Sequence, residues 1–317
     1  MFSGTRSRQI TCGSGRACYN RGPANRWEVS TLRMDFRKKT RVAVSFTILI
    51  VIFAIFCVYQ NNSIVVTEAN YFNPNIPSQF DGYKIVHISD LHNKMFGVDQ
   101  RELLNKVEGL SPDIIVVTGD LIDRRKYDLD TAMTFISGAV ELAPVYCVSG
   151  NHEALSGKSP QIKEGLAEAG GSILDNTAVE LTRGESSVNI LGLADPSFLP
   201  SNDSDGARIS KLAKQLNLLV REDTFNILLS HRPELFDLYC EHNIDLVFAG
   251  HAHGGQIRIP LIGGLVAPQQ GLFPKYTTGS YTEATTTMFV SRGLGNSIFP
   301  VRIFNRPEIV AVTLKNK

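Results

Sequence analysis

Tryptophan is nearly absent from the chain: there is one, Trp27. Cysteine is scarce and unpatterned, five in all at Cys12, Cys18, Cys57, Cys147 and Cys240. That spacing excludes a zinc framework and a disulfide-stapled scaffold. Cys147, inside "PVYCVSG", reads as a small buried hydrophobe. No G-x-S-x-G stretch occurs, so nothing points to a serine nucleophile or a covalent enzyme intermediate. Net charge is also lacking, at +1, but this hides an asymmetry: residues 1–41 sum to +8 and the rest to −7. A folded part that is net negative is a poor general binder of nucleic acid. Between Arg41 and Lys84 there is no Lys or Arg. No internal repeat at a fixed period is evident.

What fills the start of that gap is a run from Val42 to Tyr59, "VAVSFTILIVIFAIFCVY", 18 uncharged residues in which only Ser45 and Thr47 carry aliphatic hydroxyls. At about 1.5 Å per residue it spans about 27 Å, close to a bilayer's hydrocarbon core. Residues 42–60 are therefore expected to be a single transmembrane anchor. A cleaved signal peptide needs a small-x-small site after the run, and a lipoprotein needs a small residue before Cys57; Phe56 stands there. Arg37, Lys38, Lys39 and Arg41 precede the run, so the positive-inside bias puts the N-terminus in the cytoplasm and the rest of the chain outside the cell membrane. Residues 1–41 are basic and without apolar periodicity, and are expected to be disordered. Met34 opens "MDFRKKTRVAVSF", which reads as a natural start of translation.

Residues 61–80 read as a juxtamembrane connector, with one short strand at 64–67. From residue 81 a pattern recurs. An apolar run ends in a cluster of Asp, His, Asn and Gly: "YKIVHISDLH", "PDIIVVTGDLID", "PVYCVSGNHE", "FNILLSHRPE" and "IDLVFAGHAH". Each run reads as a strand buried on both faces. Helical spacing separates them at 100–110, 129–142, 161–169 and 207–220. Alternation of this kind means an α/β domain with parallel strands, and ligands in such sheets bind at the strands' carboxyl edge. Later strand-like runs at 188–193, 286–291 and 308–314 indicate more than one sheet.

Of seven histidines, five fall just past a strand end. His87, inside a strand, and His242, at a helix end, read as structural. The clusters supply Asp90, His92, Asp120, Asn151, His152, His231, His251 and His253. A mixed oxygen and nitrogen set suits Mn, Fe, Zn or Co better than Ca. Eight groups exceed one tetrahedral site, whereas two ions about 3.5–4 Å apart that share a carboxylate fit the number and belong to phosphoester hydrolysis.

The order D-x-H at 90–92, G-D at 119–120, G-N-H-E at 150–153, a lone His231 and G-H-x-H at 250–253 resembles the calcineurin-like metallophosphoesterase superfamily. The flanks "HISDLH", "LSHRPELF" and "GHAHGGQI", with "VSRGLGNSIFPVRIFNRPEI" at 290–309, resemble its membrane-anchored bacterial branch, the YkuE-like or YaeI-like proteins. The resemblance implies a layered αββα sandwich over 81–317, with two mixed β-sheets and a dinuclear site at the carboxyl ends of strands. It implies one divalent transition metal on Asp90, His92, Asp120 and His253, and a second on Asp120, Asn151, His231 and His251, with Mn the expected ion. His251 and His253 then serve different metals, and Gly254 and Gly255 let the backbone turn away. A metal-bridging hydroxide would be the nucleophile. His152 would protonate the leaving oxygen or stabilise charge on the phosphoryl group, Asp123 would orient His152, and Arg124 matches a phosphate-contacting position of the protein phosphatase branch or is a solvated loop charge. Glu153 reads as structural.

The substrate class implied is a phosphate ester near the membrane, a phosphodiester or pyrophosphate such as a UDP-diacylglucosamine-like glycolipid. Rival readings of the same fold are a phosphomonoesterase, a protein phosphatase or a nuclease. A rival of another class is a tethered metal-binding module without catalysis, which a missing ligand would betray; none is missing. Nothing in the sequence names a protein partner. The stretch 260–281, with seven Gly or Pro among exposed-looking apolars, reads as a rim loop that sets substrate choice or touches lipid, or as a plain connector.

Overall fold

The structure, a computed structural model, describes residues 26–317 apart from Ile298. Residues 1–25, with Cys12 and Cys18, and the side chains of Trp27 and Met34 lie outside the described residues. Helix α1 runs Arg26–Asn62. Its part Lys38–Asn62 contains an 18-residue stretch of mean hydropathy 2.8 and is long and apolar enough to cross a membrane. The expectation of disorder up to residue 41 fails from Arg26 onward, where the chain is helical. Extending a helix that already exists costs little per residue, and Leu, Met, Arg and Lys in this flank are good helix formers.

The chain divides into two compact units, 1–54 and 55–317. In the first, the apolar side chains from Val42 to Phe53 are largely exposed. The second is built on strands β1 Val65–Phe72, β2 Lys84–Ile88, β3 Ile114–Val117, β4 Val145–Cys147, β5 Ser172–Ile173, β6 Thr177–Arg183, β7 Ser186–Leu193, β8 Phe225–Ser230 and β9 Leu246–Ala249. The short strands β10 Arg258–Ile259, β11 Gly263–Gly264, β12 Val266–Ala267 and β13 Gly271–Leu272 follow, then β14 Gly279–Glu283, β15 Thr286–Val290 and β16 Glu308–Lys315.

Two six-stranded mixed sheets form, in the orders β1-β16-β2-β3-β4-β5 and β14-β15-β9-β8-β7-β6. Strands β2 to β5 run parallel, as do β15, β9, β8 and β7, while β16–β2, β6–β7 and β14–β15 are antiparallel. The runs of Ile and Val that read as doubly buried are so because each sheet is covered twice. Between the sheets, Ile85, Ile114 and Val116 pack with Ile190, Ile227 and Phe248. Helices α2 Arg101–Glu108, α3 Leu129–Val140 and α5 Ser159–Glu168 cover the outer face of the first sheet, α5 being preceded by the single-turn α4 Asn151–Leu155. Helices α6 Asp205–Leu219 and α7 Phe236–Glu241 cover the second. This is the αββα sandwich.

The connector expected at 61–80 is largely part of the domain. Its eight-residue strand β1 lies parallel to β16, with Val65 opposite Glu308 and Phe72 opposite Lys315. An edge strand paired with a partner some 240 positions away leaves little local signature. The last turn of α1 is tied down as well. Asn61 Oδ1 accepts the Arg302 backbone N–H at 2.9 Å, and Gln60 Oε1 accepts the Asn305 N–H at 3.2 Å. Lys94 Nζ donates to the Asn61 carbonyl, one of the helix's orphan acceptors. The Arg302 guanidinium beneath is fully buried and donates to Asn296 Oδ1 and to three carbonyls, of Arg292, Gly295 and Asn305. A fragment starting at Ile64 is therefore expected to be less stable than one starting at Ile55, by roughly 3–5 kcal/mol at about 1 kcal/mol per lost hydrogen bond. The urea midpoints of the two fragments check this.

Candidate metal centre

The parallel strands of both sheets end at one edge. Beyond β2 come Asp90 and His92, beyond β3 Asp120, beyond β4 Asn151 and His152, beyond β8 His231, and beyond β9 His251 and His253. Five of these residues, Asp90, His92, Asp120, His251 and His253, hold left-handed backbone, φ +46° to +64°. Non-glycine residues pay for that conformation, and proteins keep it where a site demands it. Gly254 and Gly255 turn the chain at φ +61° and +78°, and a Cβ on Gly254 would strike Asn305. The Asn305 amide there donates to the His253 and Gln256 carbonyls. A Cβ on Gly150 would strike the Asp120 carboxylate.

The side chains converge in two groups. In one, Nε2 of His92 and Nε2 of His253 lie 3.1 Å apart, and 3.8 and 3.5 Å from Asp90 Oδ1. In the other, His231 Nε2 lies 3.2 Å from Asp120 Oδ2 and 3.1 Å from His251 Nδ1. His92 Nε2 is also 3.6 Å from Asp120 Oδ2, so Asp120 stands between the groups. Each group offers donor atoms close enough together to hold one metal ion. Asn151 Oδ1 is buried and makes no hydrogen bond, an acceptor that a cation would satisfy.

The surroundings aim these atoms. His231 Nδ1 donates to the Thr118 carbonyl at 2.6 Å, which leaves Nε2 as the free donor atom toward Asp120. Ser89 Oγ donates to Asp90 Oδ2 at 2.6 Å. Glu153, which read as structural, accepts three backbone N–H groups: from Asp120 and Gly150 at 2.8 Å and from Ile122 at 3.1 Å. It locks the loop after β3 to the loop after β4. Sequence reasoning missed three neighbours of His251. Arg232 Nη1 is 2.9 Å from His251 Nε2, and its guanidinium is held by buried Asp195 through Nε at 2.5 Å and Nη2 at 2.9 Å. Gln269 Oε1, from the rim loop, is 2.5 Å from the same His251 nitrogen. Asp195 had a readable signal, a carboxylate two residues past the apolar run of β7, as in the other clusters.

Electrostatics favour a cation. Burial pushes Asp90 up to about 6, and pushes His92 down to about 3 and His251 and His253 well below the usual histidine range. Burial opposes ionisation of Asp120 too, but the charge of His231 and its hydrogen bond hold that carboxyl well below its usual value. Burial would lower His231, yet Asp120, Asp90 and Asp195 outweigh it and carry its pKa up to about 10. Without a metal, the buried carboxylates thus recruit a proton onto His231. A raised pKa means that this proton is present at neutral pH and is lost only as pH rises through about 10. A metal ion must displace it. Metal uptake at pH 7 is expected to release about one proton per chain from His231, and affinity should fall as pH is lowered. Calorimetry in buffers of different ionisation enthalpy reads both.

At the rim, burial lowers the His152 pKa, so the ring is neutral at pH 7. Its Nδ1 accepts the Arg124 backbone N–H at 3.2 Å, which places the ring proton on Nε2. Asp123 Oδ1 lies 3.5 Å from Nδ1, but its carboxylate is clamped by Arg125, through Nε at 3.1 Å and Nη2 at 2.9 Å. The Arg124 side chain is exposed. His87 is buried in β2 and pairs through Nε2 with Thr118 Oγ1 at 2.7 Å, and His242 Nδ1 donates to the Leu238 carbonyl at 2.8 Å; neither joins the cluster. Cys147 and Cys240 are free thiols.

A family model described as calcineurin-like phosphoesterase matches residues 83–255, which contain all five clusters. The chain is similar to the metallophosphoesterase YkuE of Bacillus subtilis, 32% identical over 81% of this chain and 87% of that one. It is similar to the phosphodiesterase YaeI of Escherichia coli, 26% identical over 73% and 82%. It is also similar to the UDP-2,3-diacylglucosamine pyrophosphatase LpxG of Chlamydia muridarum, 28% identical over 79% and 89%.

Proposed function

Because the chain belongs to the calcineurin-like phosphoesterases and is a metal-dependent phosphoester hydrolase, we propose that it cleaves a phosphodiester or pyrophosphate bond in a lipid-linked substrate, beside the membrane that α1 crosses. The observation that carries this is the pair of donor groups meeting at Asp120, with His152 at their edge. One ion would be held by Asp90, His92, Asp120 and His253, and the other by Asp120, Asn151, His231 and His251. Mn is the expected ion; Fe, Zn and Co suit the same donors. Two such ions lower the pKa of a water and neutralise phosphoryl oxygens.

The chain's own groups do the rest. Glu153 holds the β3 and β4 loops so that Asp120 and Asn151 keep their spacing. His152 carries its proton on Nε2, on the side away from the Arg124 N–H, and hydrogen-bonds through it to the leaving oxygen, stabilising the charge that builds there as the phosphorus–oxygen bond breaks. Asp123, neutralised in part by Arg125, flanks the Nδ1 side of the ring and keeps its orientation. The Arg124 guanidinium, exposed beside His152, contacts a non-bridging oxygen.

The lipid-linked substrate class rests on the apolar span and on the relatives, a phosphodiesterase and a glycolipid pyrophosphatase. A panel of aryl monoester, aryl diester and UDP-diacylglucosamine in detergent tests it. The diester or the pyrophosphate should turn over faster than the monoester; a monoester preferred by more than about tenfold would favour a phosphomonoesterase instead. The basic flank before Val42 supports a catalytic unit outside the cytoplasm. A reporter active only after export, fused after Lys317, should be active; activity of a cytoplasmic reporter alone would reverse the orientation.

A further inference from the structure

The rim loop is not a plain connector. Strands β10 and β11 form one antiparallel hairpin, β12 and β13 a second. Backbone bonds join them: Leu265 N–H donates to the Ile257 carbonyl at 2.8 Å, and Phe273 N–H to the Leu265 carbonyl at 2.9 Å. The turn of the second hairpin, between β12 and β13, reaches the metal centre through Gln269 on His251. Four exposed apolar residues lie elsewhere on the loop. Leu261 and Ile262 at the first turn, and Leu272 and Phe273 at the end of the second, are all exposed, Leu272 by 71% and Phe273 by 62%. Scattered exposed apolars are ordinary; four on two joined hairpins are not scattered.

What covers them is indicated by their neighbours. Ile257 bridges to Ile303, and Arg258 N–H donates to the Ile303 carbonyl at 3.0 Å. The next residue, Phe304, is more than half exposed and sets its ring edge-on against Phe56, at 5.4 Å between centroids. Phe56 belongs to the apolar run of α1. Within this unit, apolar surface therefore continues from Phe56, through Phe304, to the double hairpin. Charge agrees. The unit is acidic as a whole, yet from Gly254 to Thr282 there is no Asp or Glu, while Arg258 and Lys275 are present. Exposed apolars with basic neighbours and no carboxylate suit anionic headgroups over an acyl layer.

We propose that residues 257–276 form a lipid-inserting flap, with Leu261, Ile262, Leu272 and Phe273 seated at the headgroup–acyl boundary of the bilayer that holds α1. The metal centre then opens at the lipid surface, where the phosphate of a lipid-linked ester lies. This rests on the membrane-anchored hydrolase reading. The test uses the full chain in nanodiscs of phosphatidylcholine and phosphatidylglycerol, with Trp27→Phe as background and Phe273→Trp as probe. Lipids brominated near the top of the acyl chain should quench the probe by roughly half and its emission should be blue-shifted. Leu218→Trp, on exposed α6, should stay unquenched. A Phe273→Trp probe as unquenched as the α6 control overturns the flap. So does a probe whose shift depends on the number of chains per disc, which would assign the surface to a second copy. A chain that does not enter discs overturns anchor and flap together. In a second arm, Leu261→Glu with Phe273→Glu should lower kcat/KM for a disc-embedded substrate about tenfold and leave a soluble aryl diester unchanged. If the parent cleaves neither substrate, the hydrolase reading has failed, while the quenching still decides the flap.

Discussion

Asp120→Asn is expected to empty both halves of the metal centre and to cost more than 100-fold in turnover. The magnitude follows from position. Losing an outer partner of a metal ligand costs about 10- to 100-fold, and Asp120 is no outer partner: its Oδ2 lies 3.2 Å from His231 and 3.6 Å from His92, one in each group. The amide keeps the shape and removes the charge. It also removes the largest influence that raises the His231 pKa, so the variant should release less than one proton when any remaining metal binds. Asp90→Asn, whose carboxylate faces the ring nitrogens of His92 and His253 in the first group, should release one ion and keep the other. Elemental analysis after dialysis against dilute Mn separates the two variants.

His152→Ala should lower turnover by roughly 10²–10³, the range for losing one hydrogen-bond donor to a developing oxyanion, and keep both ions. The metal count matters here because His92, Asp120 and His152 also approach closely enough to hold an ion. A variant that loses one ion makes His152 a ligand. If it acts on the leaving oxygen, the loss shrinks for a nitrophenolate leaving group, which departs without that support. Asp123→Asn should give a smaller loss that does not add to the first, because both act through one imidazole. Arg124 supplies its N–H to that ring whatever its side chain, so Arg124→Ala should leave the pH profile in place.

Much of this architecture could be read from local pattern. Doubly buried runs such as Ile114–Val117, each ending in a polar cluster, declared the parallel strands and the edge where a site would lie. The seven candidate ligands are drawn together because those strands are parallel and end on one side. What escaped was non-local. Strand β1 pairs with β16 at the far end of the chain, so the domain starts well before residue 81. The buried pair Asp195–Arg232 links loops 37 positions apart, and Gln269 reaches His251 from a turn with no periodicity. The helical flank from Arg26 was hidden for the opposite reason: its residues are polar, and helix continues there by growth from the apolar span.

The account rests on two ions acting together in hydrolysis. The direct measurement strips the full chain of metal, titrates it with Mn, counts bound ions and follows an aryl phosphodiester at each step. Two ions per chain are predicted, with turnover rising as the second is taken up and about one proton released at pH 7 from His231. Full turnover with one ion or none, or two bound ions with no hydrolysis of any phosphoester, would contradict it.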